Sequence, residues 1–108
     1  MTNRREFTKK IAELIIQMCK EKEQPILDYA LRSAEEQNRL FKAGKSKCDG
    51  YQKISAHQRG KAMDIYFYNE KQGILDFTTK EKYKRWHKKW EEKGGKPMIE
   101  WDVGHFEG

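Results

Sequence analysis

Residues 61–68 read Lys-Ala-Met-Asp-Ile-Tyr-Phe-Tyr, an apolar and aromatic run that ends at Asn69. Such a composition, followed by a turn residue, is typical of a β-strand. Because successive side chains of a strand point to opposite faces, Ala62 and Asp64 should share one face. A carboxylate buried there needs a polar partner. The run therefore predicts a strand in which Asp64 pairs with another group.

Periodic apolar residues on both sides of this strand predict helices. Phe7, Ile11 and Leu14 recur at helical spacing, and Pro25 lies beyond the end of that pattern. A Ser33–Glu36 capping box begins a second helix. The first two predicted helices cover residues of about 4–22 and 34–43. A third predicted helix carries Tyr83, Trp86 and Trp90 on one face. It starts with a Thr78–Glu81 capping box and ends at Gly94–Gly95. The predicted strands cover 26–31, 61–68, 74–77 and 98–106.

The mixed order of these elements indicates the α+β class, with a small antiparallel sheet flanked by about three helices. A chain of 108 residues corresponds to one domain, so we assign residues 1–108 to a single domain.

Charge composition favours an anionic partner. The chain has 23 Lys and Arg against 17 Asp and Glu, a net charge of +6. Nucleic acid, a membrane surface and an acidic cell-wall polymer all fit this balance, as does a solvated lysine-rich surface. The sequence has no apolar run of membrane-spanning length and no apolar signal segment near Met1, so we expect no membrane span and synthesis in the cytoplasm without a signal peptide.

Two of the three histidines lie near carboxylates. Gly60 permits a sharp bend between His57 and Asp64, so the imidazole can fold back toward the carboxylate. With His105 as a third group, two imidazoles and one carboxylate form a ligand set of catalytic zinc sites. Asp102, three residues before His105, is then a candidate general base. Spacing alone leaves open that these residues are unrelated.

The third histidine, His87, follows Trp86 in a lysine-rich helical segment. We expect it at the surface.

The pattern Ser-x-His-x-x-Gly-x-Ala-x-Asp over 55–64, followed by Asp-x-x-His over 102–105, resembles the signature of bacterial and phage zinc peptidases that cut peptidoglycan stem peptides. This family includes D-alanyl-D-alanine carboxypeptidases and dipeptidases, among them vancomycin-resistance enzymes, and the L-alanyl-D-glutamate endopeptidases of phage endolysins. Hedgehog domains share its fold. The residues around His57 and His105 are most similar to the endolysin branch. Arg32-Ser33-x-x-Glu36-Gln37 also matches, so the resemblance covers about residues 31–107.

The resemblance implies one zinc ion, with His57, Asp64 and His105 as its ligands. It implies Asp102 as the catalytic acid/base; Glu100 and Glu107 are nearby alternatives if another carboxylate does this work.

Other residues of the matched segments would serve the substrate. Arg32 would bind the substrate or stabilise the oxyanion, a surface salt bridge being the alternative. Ser55 would hold substrate, with turn capping as the alternative, and Gln37 would brace the site from the second helix.

The chain departs from the family pattern near its last motif. Many relatives have proline immediately before the second histidine, where this chain has Gly104, and we expect this to loosen the His105 ligand. The Gly-Gly-x-Trp stretch is missing, with only Trp101 left. We therefore expect a short loop and a more open substrate groove.

The resemblance thus implies a hedgehog-like, D-Ala-D-Ala-peptidase-like fold and a monomeric, bacteriolytic L-alanyl-D-glutamate endopeptidase that degrades cell-wall peptidoglycan after release from the cytoplasm. The first alternative is a D-alanyl-D-alanine carboxypeptidase or dipeptidase. The second is a basic module that binds nucleic acid or cell wall through a degenerate site. We expect no nucleic-acid partner, because the ligand set is intact.

Overall fold

Helices and strands alternate irregularly along the chain, and the predicted α+β class is confirmed. The computed structural model describes residues 3–76 and 79–108. In these ranges no helix has both the length and the apolar composition needed to cross a membrane. The elements are α1 (Arg4–Lys20), β1 (Pro25–Leu27), α2 (Ala34–Lys42), β2 (Ala62–Asn69), β3 (Ile74–Asp76), α3 (Lys80–Glu92) and β4 (His105–Glu107).

The strand β2 is the centre of the sheet and pairs antiparallel with the three other strands. Phe67 is the register partner of Pro25 on one edge and of Asp76 on the other. The strand β4 pairs with the first part of β2, where Asp64 lies opposite His105. The longest strand therefore joins segments from the beginning, middle and end of the chain.

The two faces of β2 have different neighbours. Ile65 and Phe67 point into the apolar core, whereas Ala62, Asp64 and Tyr66 alternate with them and point to the opposite face. The core lies between α1, α3 and the face of the sheet that carries Ile65 and Phe67. It contains Phe7, Ile11, Leu14, Met18, Ile65, Phe67, Tyr83, Trp86, Trp90 and Phe106. Burial of this set stabilises the sheet that presents the opposite face to a cleft.

The segment 98–106 is mostly a turn, so the predicted long strand there is wrong. Asp102 N donates to Ile99 O at 2.9 Å, and His105 N donates to Asp102 O at 3.1 Å. Backbone groups bonded within the segment do not form a ladder, and only His105–Glu107 pairs with β2. The strand predicted over 26–31 is shorter too, at Pro25–Leu27. Positions 77 and 78, the end of the predicted strand 74–77 and the predicted cap of the third helix, lie outside the described residues.

His87 is buried, and its predicted surface position is wrong. It lies four residues after Tyr83 in α3, so it shares the helix face that Tyr83 and Trp90 turn toward the core. Its side chain is enclosed although lysines follow it directly in sequence.

Candidate metal centre and its cleft

Three side chains from separate segments meet on the cleft face of the sheet. Asp64 and His105 are cross-strand partners of β2 and β4, which brings side chains on the same face together. His57 joins them from the turn before β2, and ligand atoms of the three residues lie within 4.8 Å of one another. Their side chains are only 6%, 10% and 11% exposed for His57, Asp64 and His105. The group that sequence analysis singled out could therefore hold a metal ion.

The turn before β2 fixes the orientation of His57. Gly60 has φ +70°, a conformation that glycine adopts without strain, and its N–H donates to His57 O at 3.2 Å. His57 Nδ1 lies 3.0 Å from Ala30 O. Because a carbonyl only accepts, Nδ1 carries a proton, and Nε2 faces Asp64 Oδ1 at 3.3 Å.

His105 is oriented in the same way by a carboxylate. Its Nε2 lies 2.9 Å from Glu107 Oε1, and its Nδ1 lies 3.4 Å from Asp64 Oδ1. Such a partner on the outer ring nitrogen is usual for metal-binding histidines, because it fixes the ring and its tautomer. Sequence analysis treated Glu107 only as a substitute base. The sequence does contain a sign of this contact: Glu107 lies two residues after His105, and in a strand this spacing places both side chains on one face.

Asp64 Oδ1 is a buried oxygen without a hydrogen-bond partner, although it lies between the two imidazole nitrogens. An unsatisfied buried carboxylate oxygen is costly. A divalent cation bound by Oδ1 and the two nitrogens would satisfy all three lone pairs, so these residues fit a metal ion of the zinc type.

Charges within the group shift its pKa values in the metal-free protein. Burial opposes ionisation of Asp64, but the neighbouring imidazoles outweigh it and lower the pKa of Asp64 to about 2. Burial likewise opposes protonation of His105, yet contacts with Asp64 and Glu107 raise the pKa of His105 to about 9. The metal-free protein therefore holds an imidazolium at neutral pH, and metal binding releases its proton.

We expect the metal-free protein to lose stability as the pH rises from about 7.5 to 9. The pKa of His105 is about 9 in the folded chain and about 6.5 in an unfolded one. The folded state binds more protons between these values, so the free energy of unfolding falls by up to about 1.4 kcal/mol per pH unit. Denaturant titrations at several pH values with a chelator present measure this slope.

The chosen pH window isolates His105. The stability that Asp64 contributes is lost only as the pH falls through its lowered pKa of about 2. Burial lowers the pKa of His87 to about 4 in the folded chain, and the unfolded ring, with a pKa of about 6.5, is mostly neutral above pH 7.5, so this residue adds little to the slope there. The substitution His105→Gln should remove most of the slope, and an unchanged slope in that variant contradicts the prediction.

Arg32 lies inside the cleft rather than at the surface. Its side chain is 8% exposed, and its guanidinium carbon lies 4.2 Å from the centroid of the Tyr29 ring. Nη1 donates to Gln37 Oε1 at 2.8 Å, and Nη2 lies 3.8 Å from Asp64 Oδ2. Arg32 Nε is buried and has no hydrogen-bond partner, while the side chain as a whole lines the cleft. The predicted contact of Arg32 with substrate or oxyanion stays a prediction.

Gln37 is fully buried and holds the Arg32 side chain in place. While its oxygen accepts from Arg32, its Nε2 donates to Ser46 Oγ at 2.7 Å and to Cys48 O at 2.8 Å. This amide therefore connects α2, Arg32 and the loop 44–54, which fits the bracing contact predicted for it.

Asp102 and Ser55 both line the cleft that contains the ligand group. Burial and the negative charge of Asp64 raise the pKa of Asp102. Ser55 Oγ accepts from Gln58 N at 3.2 Å, so Ser55 does cap its turn. A contact between Ser55 and substrate stays a prediction, as does acid/base catalysis by Asp102.

Gly104 lies against β2, and the looser His105 ligand expected from the missing proline stays a prediction. Its carbonyl accepts from Ile65 N at 2.8 Å. A Cβ at this position would lie 2.4 Å from the Tyr66 ring and 2.9 Å from Ile65 O. The absence of a side chain thus lets the chain lie directly against β2, one residue before His105.

Gly104→Ala should destabilise the protein by about 1–3 kcal/mol, the usual cost of an overpacked site. The added methyl group must displace the Tyr66 ring or the β4 segment. Urea denaturation of the wild type and the variant measures the difference. The double variant Gly104→Ala/Tyr66→Ala should lose less than the sum of the single variants, and strict additivity would argue against this contact.

The cleft has a volume of about 490 Å³, and cations lie along its wall. Lys45, Lys47 and Arg59 line it and are exposed. Within residues 3–76 and 79–108, none of these three side chains forms a salt bridge with an acidic residue. Four carboxylates, Asp28, Asp64, Asp102 and Glu107, also line the cleft, so these cations could attract anionic groups of a ligand only at the wall where they lie. No protein-family model and no curated protein matches the chain.

Proposed function

We propose that the protein is a zinc peptidase that hydrolyses the stem peptides of bacterial peptidoglycan, cutting between L-alanine and D-glutamate. The observation that carries the proposal is the convergence of His57, Asp64 and His105 around a buried, unsatisfied carboxylate oxygen. The resemblance of these residues and of Asp102 to the endolysin signature supplies the substrate class.

A zinc ion held by these ligands would polarise the scissile carbonyl and lower the pKa of an attacking water. The chain's own residues prepare for this ion. Ala30 O fixes the ring of His57, and Glu107 fixes the ring of His105, so His57 Nε2 and His105 Nδ1 both face Asp64 Oδ1. The ligands are thereby oriented before a metal ion binds.

Asp102 would move the proton. The Asp102 carboxylate would accept a proton from the water as the water oxygen adds to the carbonyl carbon. Asp102 would then donate that proton to the leaving amine nitrogen as the C–N bond breaks. The raised pKa of Asp102, caused by burial and by Asp64, suits a group that must first hold and then release a proton. The net reaction consumes one water and yields an acid and an amine.

Arg32 would stabilise negative charge on the substrate. Its position is fixed by Gln37 and by the Tyr29 ring, and its side chain lines the cleft. A fixed cation in a partly dry cleft stabilises developing charge better than a mobile one in water. The exposed cations Lys45 and Lys47 nearby suit the carboxylates of a stem peptide.

Digestion products test the bond. The purified protein, with its zinc content measured, is incubated with intact sacculi and with a soluble pentapeptide that ends in D-Ala-D-Ala, and the products are identified by mass spectrometry. New N-terminal D-glutamate from sacculi is the expected result. The variant Asp102→Asn provides the matched control for contaminating hydrolases, because it should fold and bind zinc.

Two other outcomes would overturn the proposal. Free D-alanine as the main product of both substrates would indicate a D,D-carboxypeptidase or dipeptidase, for which Arg59 on the cleft wall could bind the terminal carboxylate. A zinc-free protein that releases nothing but shifts DNA in a gel, or binds sacculi, would indicate the basic binding module.

A further inference from the structure

His87 is a buried titratable side chain that the proposed reaction does not use. It is 2% exposed and lies on the core face of α3, behind the strand that carries His105. A buried imidazole in a core of aromatic residues needs a hydrogen-bond partner. Its partner is in the segment that contains the proposed acid/base.

The hydrogen bond identifies the tautomer of His87. Nε2 lies 2.6 Å from Val103 O, and because a carbonyl only accepts, Nε2 is the protonated nitrogen. Nδ1, the acceptor nitrogen of this tautomer, is buried and has no hydrogen-bond partner. His87 is therefore a fixed donor to the backbone between Asp102 and Gly104.

The ring of His87 also contacts β4 itself. Its centroid lies 3.8 Å from that of Phe106, with 37° between the ring planes. Phe106 follows His105 and points to the core, opposite Met63 of β2. One side chain thus touches the chain on both sides of Gly104 and His105.

Backbone partners of the turn show what this contact adds. Asp102 O accepts from His105 N, and Gly104 O accepts from Ile65 N. The carbonyl between them, Val103 O, receives its donor from the His87 side chain. Without that donor, the middle peptide of the turn would be free to rotate away from its present orientation.

We propose that His87 is a positioning residue that fixes the turn carrying Asp102 and His105. It does so through the Val103 carbonyl on one side and the Phe106 ring on the other. The inference rests on the proposed function, since it assigns His87 to the support of that site's proton carrier and metal ligand.

The test separates the donor from the ring. His87→Phe keeps an aromatic ring against Phe106 but lacks the N–H donor. His87→Gln and His87→Met have similar length, and only the Gln side chain can donate to Val103 O. Tyr83→Phe is the matched control one helical turn before His87, because it removes the hydrogen bond that Tyr83 Oη accepts from Phe67 N and the one that it donates to Asp76 O, neither of which involves the turn before β4.

Two readouts report position rather than folding. One is the visible spectrum and affinity of Co²⁺, whose absorption reports ligand geometry. The other is the separation of kcat from KM on a soluble peptide containing an acylated L-alanyl-D-glutamate bond. Loss of a group that orients metal ligands typically costs about 10–100-fold in metal affinity or activity. We expect His87→Phe and His87→Met to lose this much in kcat and to change the Co²⁺ spectrum, with KM little changed.

His87→Gln should recover most of the loss, and Tyr83→Phe should keep the wild-type spectrum. Wild-type kcat and spectrum in His87→Met, or equal losses in His87→Gln and His87→Met, would overturn the inference while leaving the proposed function intact. A wild-type protein that binds no Co²⁺ and does not hydrolyse the peptide would overturn both. If His87→Phe fails to fold, the Gln and Met pair still decides between the outcomes.

Discussion

Asp102→Asn should lower the rate of stem-peptide hydrolysis by about 10²–10⁴-fold, the usual contribution of a positioned acid/base. The amide matches the carboxylate in size but cannot accept and return a proton. Because Asp102 lines the cleft without belonging to the ligand group, zinc content and melting temperature should stay close to those of the wild type. Initial rates of digestion of sacculi measure the activity, and elemental analysis of the same protein samples measures the zinc content.

A second carboxylate of the cleft gives the matched control for this prediction. Asp28 also lines the cleft, and Asp28→Asn makes the same chemical change without touching the ligand group. Near-full activity in Asp102→Asn would show that another carboxylate carries the proton. Glu107→Gln and Glu100→Gln would then identify it, although Glu107 already bonds to His105 and Lys96.

His105→Ala should abolish both metal binding and hydrolysis. The substitution removes one of three ligands and leaves the Asp64 and Glu107 carboxylates without their shared imidazole. Loss of an outer partner typically weakens metal binding by about 10–100-fold, so loss of a ligand should exceed that range. Competition against a chromogenic zinc chelator measures the affinity, and peptide release measures the activity.

Graded variants distinguish a metal ligand from a structural histidine. Glu107→Ala removes only the carboxylate that orients His105, so its zinc affinity should fall between those of the wild type and His105→Ala. Circular dichroism monitors the fold of each variant. A folded His105→Ala protein with wild-type zinc affinity and activity would contradict the proposed metal centre.

Local sequence patterns determined the helices and the central strand. The apolar spacing in Arg4–Lys20 and the Ser33 capping box define α1 and α2, and Ser33 Oγ does accept from Glu36 N. The alternation along Ala62–Asn69 places Asp64 opposite the core face of β2. These features depend on neighbouring residues, so the sequence contains all the information needed to predict them.

The composition of the candidate site was also predictable. His57, Asp64 and His105 stand out because histidines are few and an acidic residue interrupts an apolar strand. Their grouping is as the signature implied, since the glycine turn and the β2–β4 pairing bring them within reach of one another.

Only the tertiary structure decided which groups support the site. The burial of His87, its bond to Val103 O and the close approach of Gly104 to Tyr66 depend on how α3 and β4 pack against β2. The turn over 99–102 stands where a strand was predicted, because Asp102 N donates to Ile99 O within the segment instead of to a neighbouring strand. The local sequence pattern determines which residues can face a site. Contacts between segments far apart in sequence form only when the sheet and the core assemble, and those contacts orient the candidate ligands.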